Sequence, residues 1–189
     1  MSILDRKFYR RDTLQVARTL IGKKLVRQIN GLELAGMIVE TEAYCGKADS
    51  ACHAHRGMTP RNAVMFDEPG HAYVYFTYGM HYMLNLVTEE KGRPCAVLLR
   101  AIMPITGVEE MEARRKRKGS ELVNGPAKLC QALGIDKALN GWDLTCGKEL
   151  WVADFRKIPA KSIITTPRIG IDYAEKEHKD APWRFLYPF

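Results

Sequence analysis

The sequence predicts an α+β fold built on a mainly antiparallel sheet. Extended apolar runs are joined in pairs by short turns, and the helical patterns between them are few and unevenly spaced. A doubly wound parallel sheet would need a crossover helix after almost every strand. The chain has 189 residues and 46% hydrophobic residues, which is enough for one domain with a full core. We therefore expect a single compact domain over residues 1–189, with a curved antiparallel sheet, flanking helices and a protruding β-hairpin.

Three helices are predicted from their terminal signals. Asp12 followed by Gln15 resembles a capping box, and with the helical apolar spacing that follows it predicts a helix over residues 13–21. A second pair of this type, Thr106 and Glu109, predicts a helix over residues 107–118. A proline at the start and a glycine at the end predict a short helix over residues 127–133.

Extended runs supply the strands. The Asn-Gly dipeptide at 30–31 is the preferred two-residue hairpin turn, so it predicts that the runs on either side pair. A Gly-, Pro- and His-rich stretch over 46–71 predicts a long loop with short helical pieces, and loops of this length are usually functional. The expected strands are residues 24–29, 32–44, 72–77, 82–88 and 95–102.

Charge and cysteine usage limit the partners and the compartment. The net charge is +7 and the pI about 9.2, which favours polyanionic partners such as nucleic acid. No apolar run has the length needed to cross a bilayer, and the N-terminus lacks a secretory signal. Five cysteines without a CxxC pair predict reduced thiols. We expect a cytoplasmic, nucleoid-associated monomer that does not bind membranes.

Two carboxylates lie within an apolar strand, where they need partners or a function. One interpretation is structural, with buried salt bridges to Arg100 or Arg61. The other is a general base in a partly desolvated pocket beside a tyrosine. Strand alternation places four side chains on one face: Ile38, Glu40, Glu42 and Tyr44.

Four of the eight tyrosines lie between residues 73 and 82. Tyr73 and Tyr75 share a strand face, where they either pack across the sheet or form a stacking platform for an extruded base. Tyr78 lies in the turn of this hairpin with Met80 and His81, where core burial gains little. A tip side chain of this kind can enter the gap left by a flipped nucleotide.

Other candidate sites are weaker. Cys52, His53 and His55 suggest a metal hydrolase, but a second ligand pair with zinc-like spacing is missing, so we expect no metal. The sequence also lacks the glycine-rich and Walker motifs of nucleotide cofactors, so we expect no cofactor. The five cations at 114–118 form either a solvated helix end or a phosphate contact, and Lys128 near a helix start is a further candidate for phosphate binding.

An ordered set of motifs resembles the alkyladenine (3-methyladenine) DNA glycosylase family. The resemblance covers residues 13–186, and its specificity comes from the order of the motifs because each one alone is weak. The matching motifs are Val39-Glu40-Thr41-Glu42-Ala43-Tyr44, Thr59-Pro60-Arg61-Asn62, Met65-Phe66, Pro69-Gly70, Tyr73-Val74-Tyr75, Tyr78-Gly79-Met80, Asn85, Leu98-Leu99-Arg100-Ala101 and Gly125-Pro126-Ala127-Lys128-Leu129-Cys130-Gln131-Ala132-Leu133.

This resemblance implies base excision repair on double-stranded DNA. Members of the family flip a damaged purine out of the duplex and hydrolyse its N-glycosidic bond with water, without metal or organic cofactor. By motif, Glu42 would be the general base that activates the water. Arg100 and the main-chain carbonyl of Ile169 would help to hold that water.

The resemblance also implies roles for the base pocket and the hairpin. The base pocket would be lined by Tyr44, His53 and Tyr75, and Asn85 would exclude normal guanine by a clash with its amino group. Tyr78 would intercalate through the minor groove, with Met80 and His81 beside it.

The motifs do not rank the lesions. We expect 3-methyladenine and other alkylpurines as substrates, with hypoxanthine or ethenoadenine as further ones. A non-catalytic nucleic-acid binding module, with Glu40 and Glu42 purely structural, is the competing interpretation.

Overall fold

The computed structural model describes residues 2–77 and 79–188. Within them, two helices precede the sheet and three more follow or interrupt its strands. The helices are α1 (Arg6–Tyr9), α2 (Thr13–Leu20), α3 (Val108–Arg115), α4 (Pro126–Leu133) and α5 (Lys176–Asp180). The strands are β1 (Lys24–Ile29), β2 (Leu32–Tyr44), β3 (Ala72–Thr77), β4 (His81–Thr88), β5 (Cys95–Thr106), β6 (Leu150–Ala153), β7 (Ile164–Thr166) and β8 (Arg184–Leu186).

The described strands form one open antiparallel sheet of eight strands, in the order β3-β4-β5-β2-β1-β6, so the α+β prediction is confirmed. The long strand β2 lies at its centre. One edge of β2 pairs with β5, while the other edge pairs first with β1 and then with β8. The short strand β7 extends the sheet beyond β8. The part of β2 that carries Glu40 and Glu42 is therefore enclosed by strands on both sides.

Local sequence signals explain most of the boundaries. Asn30 and Gly31 both adopt positive φ angles, 51° and 78°, as the predicted turn between β1 and β2 requires. The side chain of Asp12 accepts a hydrogen bond from the amide of Gln15, so the predicted cap of α2 is confirmed. The Asn-Gly turn and the α2 cap act within a few residues, which is why the sequence alone identifies them.

The predicted cap of α3 is wrong. Strand β5 continues to Thr106, which pairs with Ala35, so the Thr106 side chain does not cap the helix. The chain instead turns at Gly107, whose φ of 70° is left-handed, and the helix ends at Arg115 rather than at residue 118. Pairing of β5 with β2 from Ala96 to Thr106 outweighs a local capping signal.

A bulge in β2 corrects the predicted alternation. The register between β2 and β5 shifts between Ile38 and Glu40. Ile38 therefore faces the main hydrophobic core on the helix side, with Thr41, whose hydroxyl donates to the carbonyl of Ala17 in α2. Glu40, Glu42 and Tyr44 face the opposite side. The extra residue of a β-bulge changes the side of the sheet to which the following side chains point. The apolar and polar residues at this point are compatible with either arrangement, so the sequence alternation does not reveal the bulge.

Two layers of packing result. The main core lies between the sheet and the helices α2 and α4, and it includes Leu20, Leu99 and Leu129. On the opposite face, the loop over 46–71 covers the sheet with a smaller cluster that includes Met65 and Tyr73. No helix among the described residues has both the length and the apolar character needed to cross a membrane.

Candidate active site

A cavity of about 660 Å³ opens on the sheet face that the 46–71 loop covers. Its floor is formed by residues of β2, β3, β4 and β5, and its rim by the loop and by the C-terminal segment around Ile169. Aromatic and cationic side chains dominate the wall. The lining residues include Tyr44, His53, Tyr73, Tyr75, Asn85, Arg100 and Ile169.

Glu42 lies directly behind this wall and is fully buried. Its Oε1 accepts a hydrogen bond of 2.8 Å from the amide of Ile169. Its Oε2 accepts one of 2.9 Å from the hydroxyl of Tyr44 and lies 3.2 Å from Nη1 of Arg100. All three of these partners line the cavity. A carboxylate held by three donors beside a cavity is suited to accept a proton from a molecule bound there.

Arg100 connects Glu42 with Glu40. Its Nε donates to Oε1 of Glu40 at 2.8 Å, and Arg184 donates to the same oxygen at 2.6 Å. Burial alone would lower the pKa of Arg100, but the charges of Glu42 and Glu40 raise it above its ordinary value. The structural interpretation therefore fits Glu40, which pairs with Arg100 and Arg184 and does not itself line the cavity. The predicted alternative partner, Arg61, instead lies over the ring of Tyr75.

Tyr44 remains a donor to Glu42. Burial, followed by the negative charge of Glu42, raises the pKa of the Tyr44 phenol well above its usual range. The phenol thus keeps its proton at neutral pH and its hydroxyl points at the carboxylate. Tyr44 also lines the cavity, so this residue contacts both the cavity and the Glu42 carboxylate.

Three more rings form the aromatic wall. His53 Nδ1 lies 3.0 Å from the hydroxyl of Tyr73, and the ring of His53 meets that of Tyr75 edge to face with centroids 4.5 Å apart. Burial, and then the charge of Arg61, lowers the pKa of His53 to about 4, so the imidazole is neutral at pH 7. The guanidinium of Arg61 lies 5.0 Å from the centroid of the Tyr75 ring.

Asn85 completes the floor of the cavity. It is buried, pairs with Tyr73 across β3 and β4, and donates from Nδ2 to the carbonyl of Tyr73 at 3.2 Å. This bond fixes the amide on the cavity side of the sheet. An amide fixed in this way can discriminate between ligands by shape and by hydrogen bonding.

A profile of the methylpurine-DNA glycosylase family matches residues 7–188. The chain belongs to this family. A relative from Methanocella arvoryzae is 54% identical over 187 residues, which cover 98% of this chain and 92% of the relative. A relative from Desulfitobacterium hafniense is 51% identical over 195 residues, covering 98% and 95%. A third, from Carboxydothermus hydrogenoformans, is 52% identical over 184 residues, covering 97% and 94%.

Each of these relatives is named "Putative 3-methyladenine DNA glycosylase". Membership of the methylpurine-DNA glycosylase family makes the chain a hydrolase that acts on N-glycosyl bonds, with DNA as its substrate. The predicted resemblance is confirmed. The competing interpretation, a module without catalytic activity, does not fit this family.

The hairpin is only partly described in this glycosylase. Tyr78 lies outside the described residues, so its intercalating role remains a prediction. Met80 is 69% exposed and His81 is half-buried at the start of β4, so both are near the tip of the hairpin. Phe76, on the face opposite Tyr75, is also exposed and packs against Tyr82 at a centroid distance of 5.0 Å.

Lys128 and Ile169 show contacts that the sequence did not predict. Lys128 forms an ion pair of 2.6 Å with Glu121 and donates to Asn124 at 2.8 Å. The sequence predicted a role for the carbonyl of Ile169, and the structure shows its amide bound to Glu42. Phosphate binding by Lys128 and water binding by that carbonyl both remain predictions.

The candidate metal ligands are directed to different partners. The Cys52 thiol faces the carbonyl of Pro94, His53 contacts Tyr73, and His55 Nδ1 lies 2.9 Å from the carbonyl of Lys47. The described residues contain no group of three or more His, Cys, Asp or Glu side chains placed to hold a metal ion.

Sequence reasoning missed two parts of the site. Arg168 and Asp49 form a buried ion pair beside Tyr44, and Tyr173 lines the cavity rim with its hydroxyl 3.0 Å from the carbonyl of Ala51. Arg168 directly precedes Ile169, which the family resemblance implied as a site residue. This position was the one signal in the sequence for a role of Arg168. The partner of Arg168 is 119 residues away in the chain and could not be inferred from spacing.

Proposed function

We propose that the protein removes alkylated purines, 3-methyladenine first, from double-stranded DNA as a monofunctional glycosylase. The base would be flipped out of the duplex and held against the wall of Tyr44, His53 and Tyr75. Hypoxanthine or ethenoadenine are proposed as further substrates. The observation that carries the proposal is the buried carboxylate of Glu42, held by three groups that line an aromatic cavity.

In the proposed reaction, water adds to the C1′ carbon of the flipped nucleotide and its proton passes to Glu42. The bond between C1′ and the purine nitrogen breaks, and its electron pair leaves with the base. Positive charge develops on the sugar in the transition state, so a nearby carboxylate stabilises it as well as accepting the proton. Because Glu42 is covered in the free protein, the water would replace one of its present contacts when DNA binds.

The neutral state of His53 supports a cationic substrate. A protonated imidazole would repel an alkylated purine that already carries positive charge, whereas electron-rich tyrosine rings attract it. The low pKa of His53, about 4, leaves this wall without an imidazolium charge at pH 7. Asn85 is proposed to exclude guanine by contact with its exocyclic amino group.

Glu42→Gln is the decisive test. We expect the single-turnover release of 3-methyladenine from dimethyl-sulfate-treated DNA to fall by at least about 10²-fold, because the amide cannot accept the proton. Binding to a duplex with a tetrahydrofuran abasic analogue is expected to remain within about threefold of the wild-type value. Glu149→Gln makes the same change in an exposed residue that pairs with Arg27 and serves as the matched control. Full activity of Glu42→Gln would contradict the proposal.

Tyr78 is proposed to fill the space left by the flipped base. Tyr78→Ala is expected to weaken binding to a lesion duplex more than to an undamaged duplex, because only the first requires the gap to be filled. Competition binding with the two duplexes measures this ratio. Equal losses of affinity for the two duplexes would contradict the proposed role of Tyr78 in filling the space left by the flipped base.

We infer that the whole chain acts as one glycosylase domain, that the protein is a monomer, and that it works in the cytoplasm on the bacterial or archaeal chromosome. The family match across residues 7–188 supports the single domain. The bacterial and archaeal sources of the relatives support the location.

A further inference from the structure

The amide that contacts Glu42 belongs to a segment without regular secondary structure. Ile169 lies between β7 and α5, and half of the residue is exposed. Its hydrogen bond to Oε1 of Glu42 is 2.8 Å long. An irregular, exposed segment has no ladder of its own to fix an amide, so this contact needs an anchor from elsewhere.

The preceding residue, Arg168, supplies this anchor. Its guanidinium forms two hydrogen bonds with Asp49, of 2.6 Å and 2.9 Å, and both side chains are fully buried. It also donates to the carbonyls of Ala43 at 2.9 Å and His178 at 3.1 Å. The pair therefore joins β2, the start of the 46–71 loop and the C-terminal segment at one point.

The same guanidinium fixes a second contact of Glu42. It lies between two rings, 4.7 Å from the centroid of Tyr44 and 4.9 Å from that of Trp183. The hydroxyl of Tyr44 donates to Oε2 of Glu42. Arg168 thus supports two of the three groups that hold the carboxylate, one through the backbone and one through a ring.

Asp49 extends this arrangement into the loop. Besides Arg168, its carboxylate accepts hydrogen bonds from the amides of Cys45 at 3.1 Å and Ala51 at 3.0 Å. These residues precede His53, which belongs to the aromatic wall. The buried pair is therefore connected to the acid–base group and to the base-stacking surface.

We propose that Arg168, held by Asp49, is a positioning residue that sets the orientation of the Glu42 carboxylate through Ile169 and Tyr44. This inference rests on the proposed role of Glu42 as the general base. Arg168 does not itself line the cavity, so its effect is on the rate of base release and not on contact with DNA. Small displacements of a reacting group cost large factors in rate.

Arg168→Lys tests this role. Lysine keeps the positive charge but lacks the planar fork that Asp49 and the two rings contact. We expect the single-turnover release of 3-methyladenine from dimethyl-sulfate-treated DNA to fall by about 10- to 100-fold. Binding to the tetrahydrofuran duplex is expected to stay within about threefold of wild type.

Arg27→Lys is the matched control. Arg27 is also buried, and its guanidinium donates to the carbonyls of Gln28 and Glu149 on the β1–β6 side of the sheet. All variants are assayed at one temperature, about 20 °C below the lowest of their melting temperatures, so that each protein is folded during the comparison. The release rate of Arg27→Lys is expected to stay within about twofold of wild type.

Asp49→Asn is the second variant, because Arg168→Lys could fail to fold with Asp49 buried beside it. Asparagine keeps the shape of Asp49 but weakens its hold on Arg168, so the rate should fall in the same direction by a smaller factor. A wild-type rate in any folded variant of this pair, or an equal loss in Arg27→Lys, would overturn the inference. The proposed role of Glu42 fails independently of this inference if Glu42→Gln keeps the wild-type release rate while Arg168→Lys has a reduced one.

Discussion

At the scale of single residues, Glu42 shows how a buried carboxylate is stabilised beside a cavity. Removal of a carboxylate from water costs several kcal/mol unless partners compensate it. Arg100, Tyr44 and the Ile169 amide supply that compensation without DNA. All three belong to the cavity wall, so a bound nucleotide and its water can rearrange them. The carboxylate proposed to act as the general base is thus stabilised by the surface proposed to bind the substrate.

His53 gives a prediction at the same scale. Its pKa is about 4 in the folded protein, lowered by burial and then by Arg61, against 6.5 in the unfolded chain. Between these values the unfolded chain binds more protons, so the contribution of His53 to stability is present above about pH 6.5 and is lost as the pH falls toward 4. The ring of His53 packs against Tyr73 and Tyr75, but the residue as a whole is exposed, so solvent screening reduces the size of the effect.

The measurement is urea unfolding at pH 7 and pH 5. The decrease in unfolding free energy between these two pH values is expected to be smaller for His53→Gln than for the wild-type protein. An equal decrease in the two proteins would show that protonation of His53 does not lower the unfolding free energy.

At the scale of elements, the sequence predicted what depends on neighbouring residues. The turn at Asn30-Gly31, the cap at Asp12 and the bounds of β1, β2 and β3 agree with local patterns. The end of β5 and the start of α3 were missed because they depend on pairing with a distant strand. The phase change at the bulge in β2 was missed for the same reason.

Substitution of Gly36 tests how closely β2 and β5 approach each other. It lies in β2, where an added Cβ would come within 2.7 Å of Cδ1 of Ile102 and 2.8 Å of the carbonyl oxygen of Met103 in β5. The backbone oxygen cannot move without a shift in strand pairing. We expect Gly36→Ala to lower the unfolding free energy by about 1–3 kcal/mol, measured by urea denaturation.

Gly125→Ala is the control for this substitution. An added Cβ at Gly125 meets nothing closer than the Lys128 side chain at 3.6 Å, and the residue has an extended φ of −177°. Because Gly125 is the N-cap of α4, where glycine is favoured over alanine, the unfolding free energy of Gly125→Ala is expected to fall by less than about 1 kcal/mol. Equal effects of the two alanines would mean that the close approach of β2 and β5 does not limit stability.

At the scale of the whole molecule, two groups of cations that contribute to the net charge differ in their position relative to the cavity. Arg56 and Arg61 line the cavity, where DNA is proposed to bind. The cations at the end of α3 lie elsewhere, because Arg115 donates to the side chain of Gln131 near the far end of α4, and that side chain donates to the carbonyl of Arg114. The start of α4 touches the cavity at Pro126, and eight helical residues span about 12 Å. Several of the α3 cations are also paired within the protein, such as Arg114 with Glu110.

We therefore expect the two groups to differ in how much they contribute to DNA binding. Arg56→Gln with Arg61→Gln, and Lys116→Gln with Arg117→Gln, each remove two charges from the net +7. For an undamaged duplex, the slope of log affinity against log salt concentration should fall by roughly 1 for each phosphate that the protein no longer neutralises. The slope should decrease by about two for the first double variant and by less than about one for the second. Equal decreases would place the α3 cations on the DNA as well, and would show that net charge, rather than its position at the cavity, governs binding.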